Sequence, residues 1–423
     1  MRTPITRATQ IPITRQTVTA TTKDGLTVCF RLESPSGSPD GLFLFSHVPK
    51  TVLFALPASY RHNSRAQKQI NILRDLGLHV RLTEIADAQP PLHDPVTRLI
   101  IAARSGPAFF YHLHRQVRRA ATTIRADIYH ASGLYVLPAM AQVAQKQGGR
   151  LVYDARELYP HVSGTIRRPW ARSFWSAVER RFIRRADVVF TVSDGIADHL
   201  AQQYRITKPT VVYNAPDTTK EIVPRDIRTL AGIPPDKPIV LHLGAIRRDR
   251  GCDTLAEAVA GVPEAHLVFL GGIDGRSALQ TIVDALNIGS RVHFLPPCPT
   301  EEVLQWAASA DIGVSLLRDS CLNHRLALPN KLFEYLAAGL PVLTSALPEM
   351  KHVVATYDVG RTIDQVDAKT VMATLKAMID DVDGRRRWSA NSGKVFETFG
   401  WQHASQVFAR AYRKILEDPT LDS

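Results

Sequence analysis

The stretch PIVLHLGAIRRDRG, residues 238–251, contains the unit that decides the fold. Residues 238–243 form an apolar run of strand length, Gly244 follows as a turn residue, and a helical pattern covers residues 254–260. The same alternation of short apolar runs with longer amphipathic runs extends from residue 51 to the end of the chain. Because alternating strands and helices form parallel sheets with helices on both faces, the sequence predicts an α/β protein.

The predicted strands fall into two sets on either side of a polar, proline-containing stretch at residues 214–238. The first set is 51–56, 78–84, 127–130, 150–153, 187–192 and 210–213, and the second is 238–243, 265–270, 291–295, 311–316 and 341–344. A chain of 423 residues is long enough for two cores. We therefore predict two doubly wound, Rossmann-like domains facing a cleft, at residues 51–222 and 223–400. The segment 401–423 is predicted to form a last helix that crosses back toward the first domain.

The first 50 residues have a different pattern. Segments 18–22 and 26–30 alternate around Lys23, Asp24 and Gly25, which is typical of a β-hairpin. A loop rich in serine, proline and glycine follows at residues 34–40. We predict a short β-rich extension over residues 1–50.

The bulk composition is that of an ordinary globular protein, with 45% hydrophobic and 22% charged residues. No apolar run reaches the roughly 18 residues of a membrane-spanning helix, and none before Lys23 resembles a signal peptide. The cysteine spacing predicts neither a disulfide framework nor a zinc site for Cys29, Cys252, Cys298 and Cys321. A cytoplasmic location is the expectation.

The net charge of +12 favours an anionic partner, with a solvated arginine-rich surface as the alternative. No nucleic-acid-binding motif is recognised, so we expect no nucleic acid partner. Residues 166–185 hold seven arginines, and an apolar residue recurs every four positions at Trp170, Phe174, Val178 and Phe182. Two interpretations stay open: this helix lies on anionic lipid at the inner face of the membrane, or the apolar stripe packs in the core and the arginines are solvated.

The loop after residue 243 carries three arginines, Arg247, Arg248 and Arg250, behind Gly244. They follow the carboxyl end of a predicted strand, where ligands bind in open α/β sheets. Guanidinium groups bind phosphate oxygens bidentately, so the loop predicts a phosphate site, with a basic surface loop as the alternative. Gly271 and Gly272 follow another strand and are predicted to let the backbone approach a nucleotide, or else to form a plain turn.

A second motif is LPNKLFEYLAAGLP, residues 328–341. Pro329 is placed to begin a helix and Gly339 to end it. Lys331 and Glu334 are three residues apart, so they share one face near the helix N-terminus. Phosphate is attracted there, and a carboxylate accepts hydrogen bonds from a vicinal diol such as a ribose. The alternative is a capped helix with a surface ion pair.

Residues 329–342 resemble the donor-site signature of the retaining GT-B glycosyltransferases of family 4. Weaker segments of this sequence resemble further family segments in the same order: 153–158, 185–193 with 213–214, 244–251, and 294–296 with 301–303 and 310–311. The resemblance implies a metal-independent enzyme without a cofactor. It implies transfer of a sugar, with retention, from a nucleotide-diphosphate donor to a glycan or lipid-linked acceptor.

The resemblance also implies roles for individual residues. Glu334 would bind the donor ribose, and Arg250 and Lys331 would hold the diphosphate and stabilise it as it departs. His130, taken to end a strand at the cleft, resembles the histidine that touches the transferred sugar, although an interior histidine is the alternative. Further donor-site residues are Gly244, Arg247, Arg248, Gly271, Gly272, Phe294, Leu295 and Asn330. The acceptor-side residues are Arg65, Asp154 and Glu157.

Three positions depart from the family pattern: Leu326 replaces a glutamate that contacts the donor sugar, Ala245 an arginine, and Arg156 a histidine. The backbone near Ala327, or Asp319 and Asn323, could replace the missing glutamate. These departures keep two alternatives open, a non-catalytic subunit that binds a nucleotide sugar and a nucleotide-sugar epimerase.

Overall fold

A computed structural model describes residues 17–21, 27–31, 49–85, 96–99, 106–219, 221–272 and 275–417. The chain divides into two units, residues 1–50 and 51–423. In the first unit, strands β1 (Thr17–Thr21) and β2 (Thr27–Arg31) pair antiparallel, as expected for the predicted hairpin. The predicted turn and the 34–40 loop lie outside the described residues.

The first half of the second unit is built on a sheet of seven parallel strands. Its strands are β3 (Thr51–Leu56), β4 (His79–Ile85), β5 (Val96–Leu99), β6 (Ile128–Ser132), β7 (Arg150–Ala155), β8 (Val188–Thr191) and β9 (Thr210–Val211). Their order across the sheet is β5-β4-β3-β6-β7-β8-β9. The helices are α1 (Ser64–Asp75), α2 (Gly106–Thr122), α3 (Leu137–Gln147), α4 (Ser163–Ile166), α5 (Pro169–Ile183) and α6 (Asp194–Tyr204).

The second half is built on a sheet of six parallel strands, in the order β12-β11-β10-β13-β14-β15. Its strands are β10 (Ile239–Leu243), β11 (His266–Leu270), β12 (Val292–Leu295), β13 (Ile312–Ser315), β14 (Val342–Ser345) and β15 (Gly360–Ile363). The first helices are α7 (Ile227–Ala231), α8 (Cys252–Ala260), α9 (Arg276–Ala285), α10 (Val303–Ala307), α11 (Leu322–Arg325) and α12 (Asn330–Ala337). The last are α13 (Pro348–Tyr357), α14 (Ala368–Asp380), α15 (Val382–Asn391), α16 (Val395–Phe399) and α17 (Trp401–Leu416).

This architecture confirms the predicted α/β class with two doubly wound sheets. In each sheet the strand order reverses beside the first strand, at β3/β6 and at β10/β13, and such switch points open the crevices that bind ligands. The sequence pattern missed only the edge strands β5 and β15 of these two sheets. Both are four residues long and contain polar residues, so neither has the apolar run of a central strand.

Helix α17 lies against the first sheet although it follows the second in sequence. Its residues Ala404, Phe408 and Tyr412 are buried in the cluster that contains Val52 and Phe54 of β3. Helix α1 contributes to the same cluster. The end of the chain therefore completes the core of the first half. Within the described ranges, none of the helices has the length and apolar character needed to cross a bilayer.

Several hydrogen bonds cross between the two halves. The Leu158 N–H donates to Asn323 Oδ1 at 2.8 Å, and the Ser193 hydroxyl donates to the Leu326 carbonyl at 2.7 Å. The N–H of Gly195 donates to Glu349 Oε1 at 2.7 Å. These contacts hold the carboxyl ends of the two sheets face to face.

Candidate active site

Two glycines bring neighbouring strand ends into contact at the cleft. Gly244 follows β10 with φ +88°, and its N–H donates to the Leu270 carbonyl at 2.8 Å. Gly271 follows β11, and a Cβ atom there would lie 2.8 Å from Gly244 Cα. Real Cβ atoms essentially never approach that closely, so position 271 depends on glycine, and position 244 favours glycine because its φ is positive. Gly271 and Gly272 therefore lie directly beside the arginine loop.

The three arginines of this loop have different partners. Arg247 Nη2 lies 2.6 Å from Asp249 Oδ2, and Arg248 Nε lies 3.3 Å from Asp253 Oδ2, with the Arg248 side chain 93% exposed. Arg250 is half-buried, and no ion pair of Arg250 occurs within the described residues. Of the three, Arg250 is the cation left available for an anionic ligand.

Helix α12 places Lys331 opposite this loop. Pro329 precedes the helix in an extended conformation, Asn330 is exposed in its first turn, and Lys331 is buried. The Lys331 ammonium lies 3.2 Å from His242 Nε2. Burial first, and the charge of Arg250 second, lower the pKa of Lys331 to about 7. The pocket thus holds two neighbouring cations, which favours binding of an anion.

Glu334 lies one turn further along the same helix face and is half-buried. Burial raises its pKa, while Lys331 and Lys68 oppose that shift. Lys68 comes from α1 in the first half of the chain: its ammonium donates to the Ala215 carbonyl at 2.7 Å and lies 4.9 Å from the centre of the Trp401 ring. Burial lowers the pKa of Lys68 to about 8 against the pull of Glu334 and Asp217. Sequence analysis missed Lys68 because nothing near it in the chain marks it.

A small cavity of about 120 Å³ opens beside the glycines. Its walls are mostly apolar, and the Arg276 guanidinium lies 4.9 Å from the ring centre of Phe294. The lining residues are Ile246, Phe269, Gly271, Gly272, Arg276, Phe294, Leu295 and Pro296. The predicted donor residues Phe294 and Leu295 are thus brought together with the glycine pair. A second, more open cavity of about 630 Å³ shares Ile246 with the small one and is also lined by Arg247 and Arg248.

Arg65 and Asp154, predicted on the acceptor side, are buried inside the first half. Arg65 donates from Nε and Nη2 to the two Asp154 oxygens at 2.8 and 2.7 Å, and Gln69 donates to Asp154 Oδ2 at 3.1 Å. Burial alone would raise the pKa of Asp154, but the charge and hydrogen bonds of Arg65 bring it down to about 2. Because the two side chains are buried and neutralise each other, neither charge is available to bind a ligand.

His130 is also placed differently from the expected position. It lies in the middle of β6 rather than at its end, and its side chain is 0% exposed. Its ring stacks on Phe54 at 4.2 Å, and its Nδ1 lies 2.6 Å from the Tyr412 hydroxyl of α17. Burial lowers its pKa to about 3. The structure therefore places this side chain in the core of the first half, because α17 covers that face of the sheet.

Glu157 is the predicted acceptor-side residue that does reach the donor loop. Its side chain is exposed, yet desolvation by the surrounding protein raises its pKa against the charges of Arg156, Arg250 and His324. His324 is a further group that sequence analysis missed: its Nε2 lies 3.5 Å from Ser163 Oγ of the other half. The Cys321 thiol and Asp249 raise the pKa of His324.

The two side chains named as replacements for the missing glutamate already have partners. Asp319 pairs with Arg325 at 2.9 Å, and Asn323 accepts the hydrogen bond from Leu158. In the part of the chain that the structure describes, no three His, Cys, Asp or Glu side chains group together as metal ligands would.

Two family models match the chain on either side of the cleft. Residues 225–395 match glycosyl transferases group 1, and residues 62–215 match the glycosyl transferase 4-like domain, which together is about three-quarters of the chain. The chain belongs to the group 1 glycosyltransferases. The arginine loop at residues 244–251, the small cavity and α12 all fall within the first of these matches.

Relatives of this group 1 glycosyltransferase are distant in sequence. The D-inositol 3-phosphate glycosyltransferase of Xylanimonas cellulosilytica is 28% identical over 46% of this chain and 48% of its own. The chain spans about half the length of the curated relatives of this kind that it matches.

Solved structures share the fold along almost their whole length. Sucrose-phosphate synthase from Thermosynechococcus elongatus has a TM-score of 0.74 at 19% identity, with 87% of this chain and 99% of that one covered. Anabaena HepE, solved with UDP-glucose, has a TM-score of 0.68 at 15% identity, with 86% and 100% covered. At these identities the likeness shows the GT-B fold.

Proposed function

We propose that the protein transfers a sugar, with retention and without a metal ion, from a nucleotide-diphosphate sugar to a glycan or lipid-linked acceptor. The observation that carries this proposal is the pair of neighbouring cations, Lys331 and Arg250. Lys331 is buried, and neither cation has an ion pair in the described residues. A diphosphate supplies the negative charge that this pocket lacks.

The surrounding residues fit the rest of a nucleotide sugar. Glu334 is one helical turn from Lys331, where its carboxylate can accept a hydrogen bond from each of the two ribose hydroxyls. The apolar cavity beside Phe294 and Leu295 would take the base, and Gly244 and Gly271 would let the backbone approach the phosphates. Anabaena HepE, which shares the fold, was solved with UDP-glucose.

The proposed chemistry follows from where charge develops. The bond between the sugar and the phosphate breaks through an oxocarbenium-like state, and negative charge grows on the departing diphosphate. Arg250 and Lys331 stabilise that charge in fixed positions, which is the task a metal ion performs in other transferases. The acceptor oxygen then bonds to the anomeric carbon on the face that the diphosphate leaves, and a departing phosphate oxygen takes the acceptor proton, so the anomeric configuration is retained.

The acceptor would enter from the first half of the chain. Glu157 interacts electrostatically with Arg250 across the cleft. A carboxylate there can orient an acceptor hydroxyl toward the donor sugar. The relative from Xylanimonas cellulosilytica is named for a phosphorylated polyol acceptor, D-inositol 3-phosphate.

A basic and aromatic surface on α4 and α5 fits an anionic membrane. Trp170 is 65% and Phe174 55% exposed, so the first half of the apolar stripe does not pack in the core, and Val178 and Phe182 are half-buried. Of the seven arginines, all but the half-buried Arg185 are exposed. This surface would bind lipid at the inner face of the cytoplasmic membrane, where a lipid-linked acceptor lies.

Vesicle flotation tests the membrane part of the proposal. The wild type should float with anionic vesicles at low salt and stay in solution with zwitterionic ones. Trp170→Ser with Phe174→Ser should abolish flotation, whereas Leu230→Ser, at an exposed apolar residue outside this surface, should not. Equal flotation of both variants, or none by the wild type, contradicts the proposed lipid surface.

A thermal-shift screen tests the donor site. We expect UDP, GDP or ADP, or one of their sugar conjugates, to raise the unfolding temperature, and the shift to persist in EDTA. Glu334→Ala should remove it, whereas Glu257→Ala, an exposed carboxylate on α8, should not. The absence of any shift contradicts a donor site.

Product analysis then decides between the transferase and its alternatives. Sugar transfer to an acceptor or to water supports the transferase. Binding without turnover would identify a non-catalytic subunit, and interconversion of donor epimers would identify an epimerase.

A further inference from the structure

A buried histidine, His242, lies between Lys331 and the arginine loop at residues 244–251. His242 lies on β10, and its Nε2 is 3.2 Å from Lys331 Nζ and 3.4 Å from Cys252 Sγ. The N–H of Arg247, in the arginine loop, donates to the same sulfur at 3.4 Å. His242 and Cys252 are both buried. A chain of contacts therefore runs from the loop backbone through the thiol and the imidazole to the ammonium.

The protonation of His242 follows from its partner. The ammonium form of Lys331 only donates hydrogen bonds, so in that form Nε2 is the acceptor and the neutral ring carries its proton on Nδ1. Burial first, and the Lys331 charge second, hold the pKa of His242 well below its ordinary value. The imidazole therefore remains a neutral acceptor at neutral pH.

We propose that His242 is a positioning residue for the donor diphosphate: its neutral imidazole holds the Lys331 ammonium in place and fixes it to the arginine loop through Cys252. This inference rests on the proposed function, in which Lys331 binds the diphosphate. Sequence analysis gave no indication of it, because His242 lies inside an apolar strand and 89 residues before Lys331.

The groups around Lys331 give the contact a measurable signature. Lys331 faces Glu334 on its own helix, His242 on β10, Cys252 on α8 and Arg250 in the loop. Burial and Arg250 lower the pKa of Lys331 to about 7, and a bound diphosphate would raise it again. Nucleotide binding should therefore take up a proton, and affinity should fall as the pH rises above about 7.

Replacing His242 with a residue that cannot accept a hydrogen bond should shift the pH dependence of nucleotide affinity in a defined direction. A buried ammonium without its acceptor is less stable, so the pKa of Lys331 should fall further. The decline in affinity would then begin at lower pH. The terminal phosphate of a nucleoside diphosphate titrates near pH 6, so the informative range lies above that value.

Calorimetric titration with UDP, GDP and ADP between about pH 6.5 and 8.5 tests the proposal. His242→Leu should weaken binding of the preferred nucleotide about tenfold near pH 7.5, as expected for a lost hydrogen bond to a charged group, and less at the acid end. His242→Gln offers an amide oxygen as acceptor and should recover most of the affinity. His266→Leu is the matched control, because His266 is a buried histidine at the opposite end of β11, where its Nδ1 lies 3.0 Å from His293.

Unchanged affinity and pH dependence in folded His242→Leu would overturn the proposal. If that variant does not fold, nitrogen NMR of labelled wild-type protein decides: a protonated His242 Nε2 contradicts the contact, and a proton on Nδ1 supports it. Should the wild type bind none of the three nucleotides, the proposed function fails. The NMR measurement would still test the contact between His242 and Lys331.

Discussion

The two halves of the chain differ in the partners of their buried charged side chains. In the first half, Arg65 and Asp154 neutralise each other through two hydrogen bonds, and Gln69 adds a third. In the second half, Lys331 is comparably buried but faces another cation, Arg250. Its hydrogen bond within the described residues is to a neutral imidazole.

This difference shows that burial of a charge does not by itself mark a functional group. A pair that satisfies itself is part of the folded framework, and its loss should appear in stability. A buried cation beside a second cation is destabilising until an anion arrives, and its loss should appear in binding and turnover. The following predictions test this distinction.

The largest effect is expected for the self-satisfied pair. Asp154→Asn leaves the Arg65 guanidinium buried without a counter-charge, which should lower the free energy of unfolding by about 3–5 kcal/mol. Urea denaturation measures the loss. The double variant Arg65→Met with Asp154→Leu removes both charges and should lose less than the single variant. A double variant that is less stable than Asp154→Asn would contradict the prediction that an unpaired Arg65 costs more than the loss of both charges.

Lys331→Met should have the opposite profile. Donor turnover should fall on the order of 100–1000-fold, because a charge that stabilises the departing diphosphate is lost. The unfolding temperature without ligand should stay level or rise, since a strained cation is removed. Arg248→Ala is the control, because Arg248 is exposed and paired with Asp253, and turnover should be nearly unchanged. Full turnover by Lys331→Met would contradict its role.

Glu179 is an exception within the first half, because its environment differs from that of the Arg65–Asp154 pair. It is a buried carboxyl of the first half that accepts hydrogen bonds from Tyr153 at 2.6 Å and Tyr204 at 2.8 Å, with no cationic partner among the described residues. Burial raises its pKa from 4.5 to about 7 against these two bonds. The folded protein therefore prefers the neutral form, and stability should decline as pH rises through that interval.

Glu179→Gln should remove this dependence. Relative to the wild type, the variant should gain on the order of 3 kcal/mol in unfolding free energy between about pH 4.5 and pH 8. Urea denaturation at both ends of the range measures the gain. A constant difference between the two proteins would mean that Glu179 does not titrate in this interval.

Much of the fold and the grouping of the candidate donor-site residues could be predicted because the informative residues are local. Gly244 and Arg250 lie within one strand–loop unit, and Lys331 and Glu334 within one helical turn. Their proximity follows from the rule that carboxyl ends of parallel strands meet at one sheet edge. Of the three loop arginines, Arg247 pairs with Asp249 and Arg248 with Asp253. No sequence pattern specifies the side-chain directions on which these ion pairs depend.

The first half was harder to predict because its interior is completed by distant residues. His130 is buried by Tyr412, which is 282 positions later in the chain. Arg65 is fixed by Asp154, 89 residues away. Lys68 reaches the neighbourhood of Glu334 only because the two halves face each other. Patterns within a window of a dozen residues carry no information on such contacts.

The return of helix α17 to the first sheet has a consequence for the order of events during synthesis. The face of β3 that carries Phe54 is covered by Phe408 and Tyr412, which the ribosome makes more than 350 residues later. Since that surface stays uncovered until α17 has been synthesised, the first half cannot complete its core as it emerges. The apolar face of β3 therefore stays exposed on the nascent chain while the second sheet is being translated.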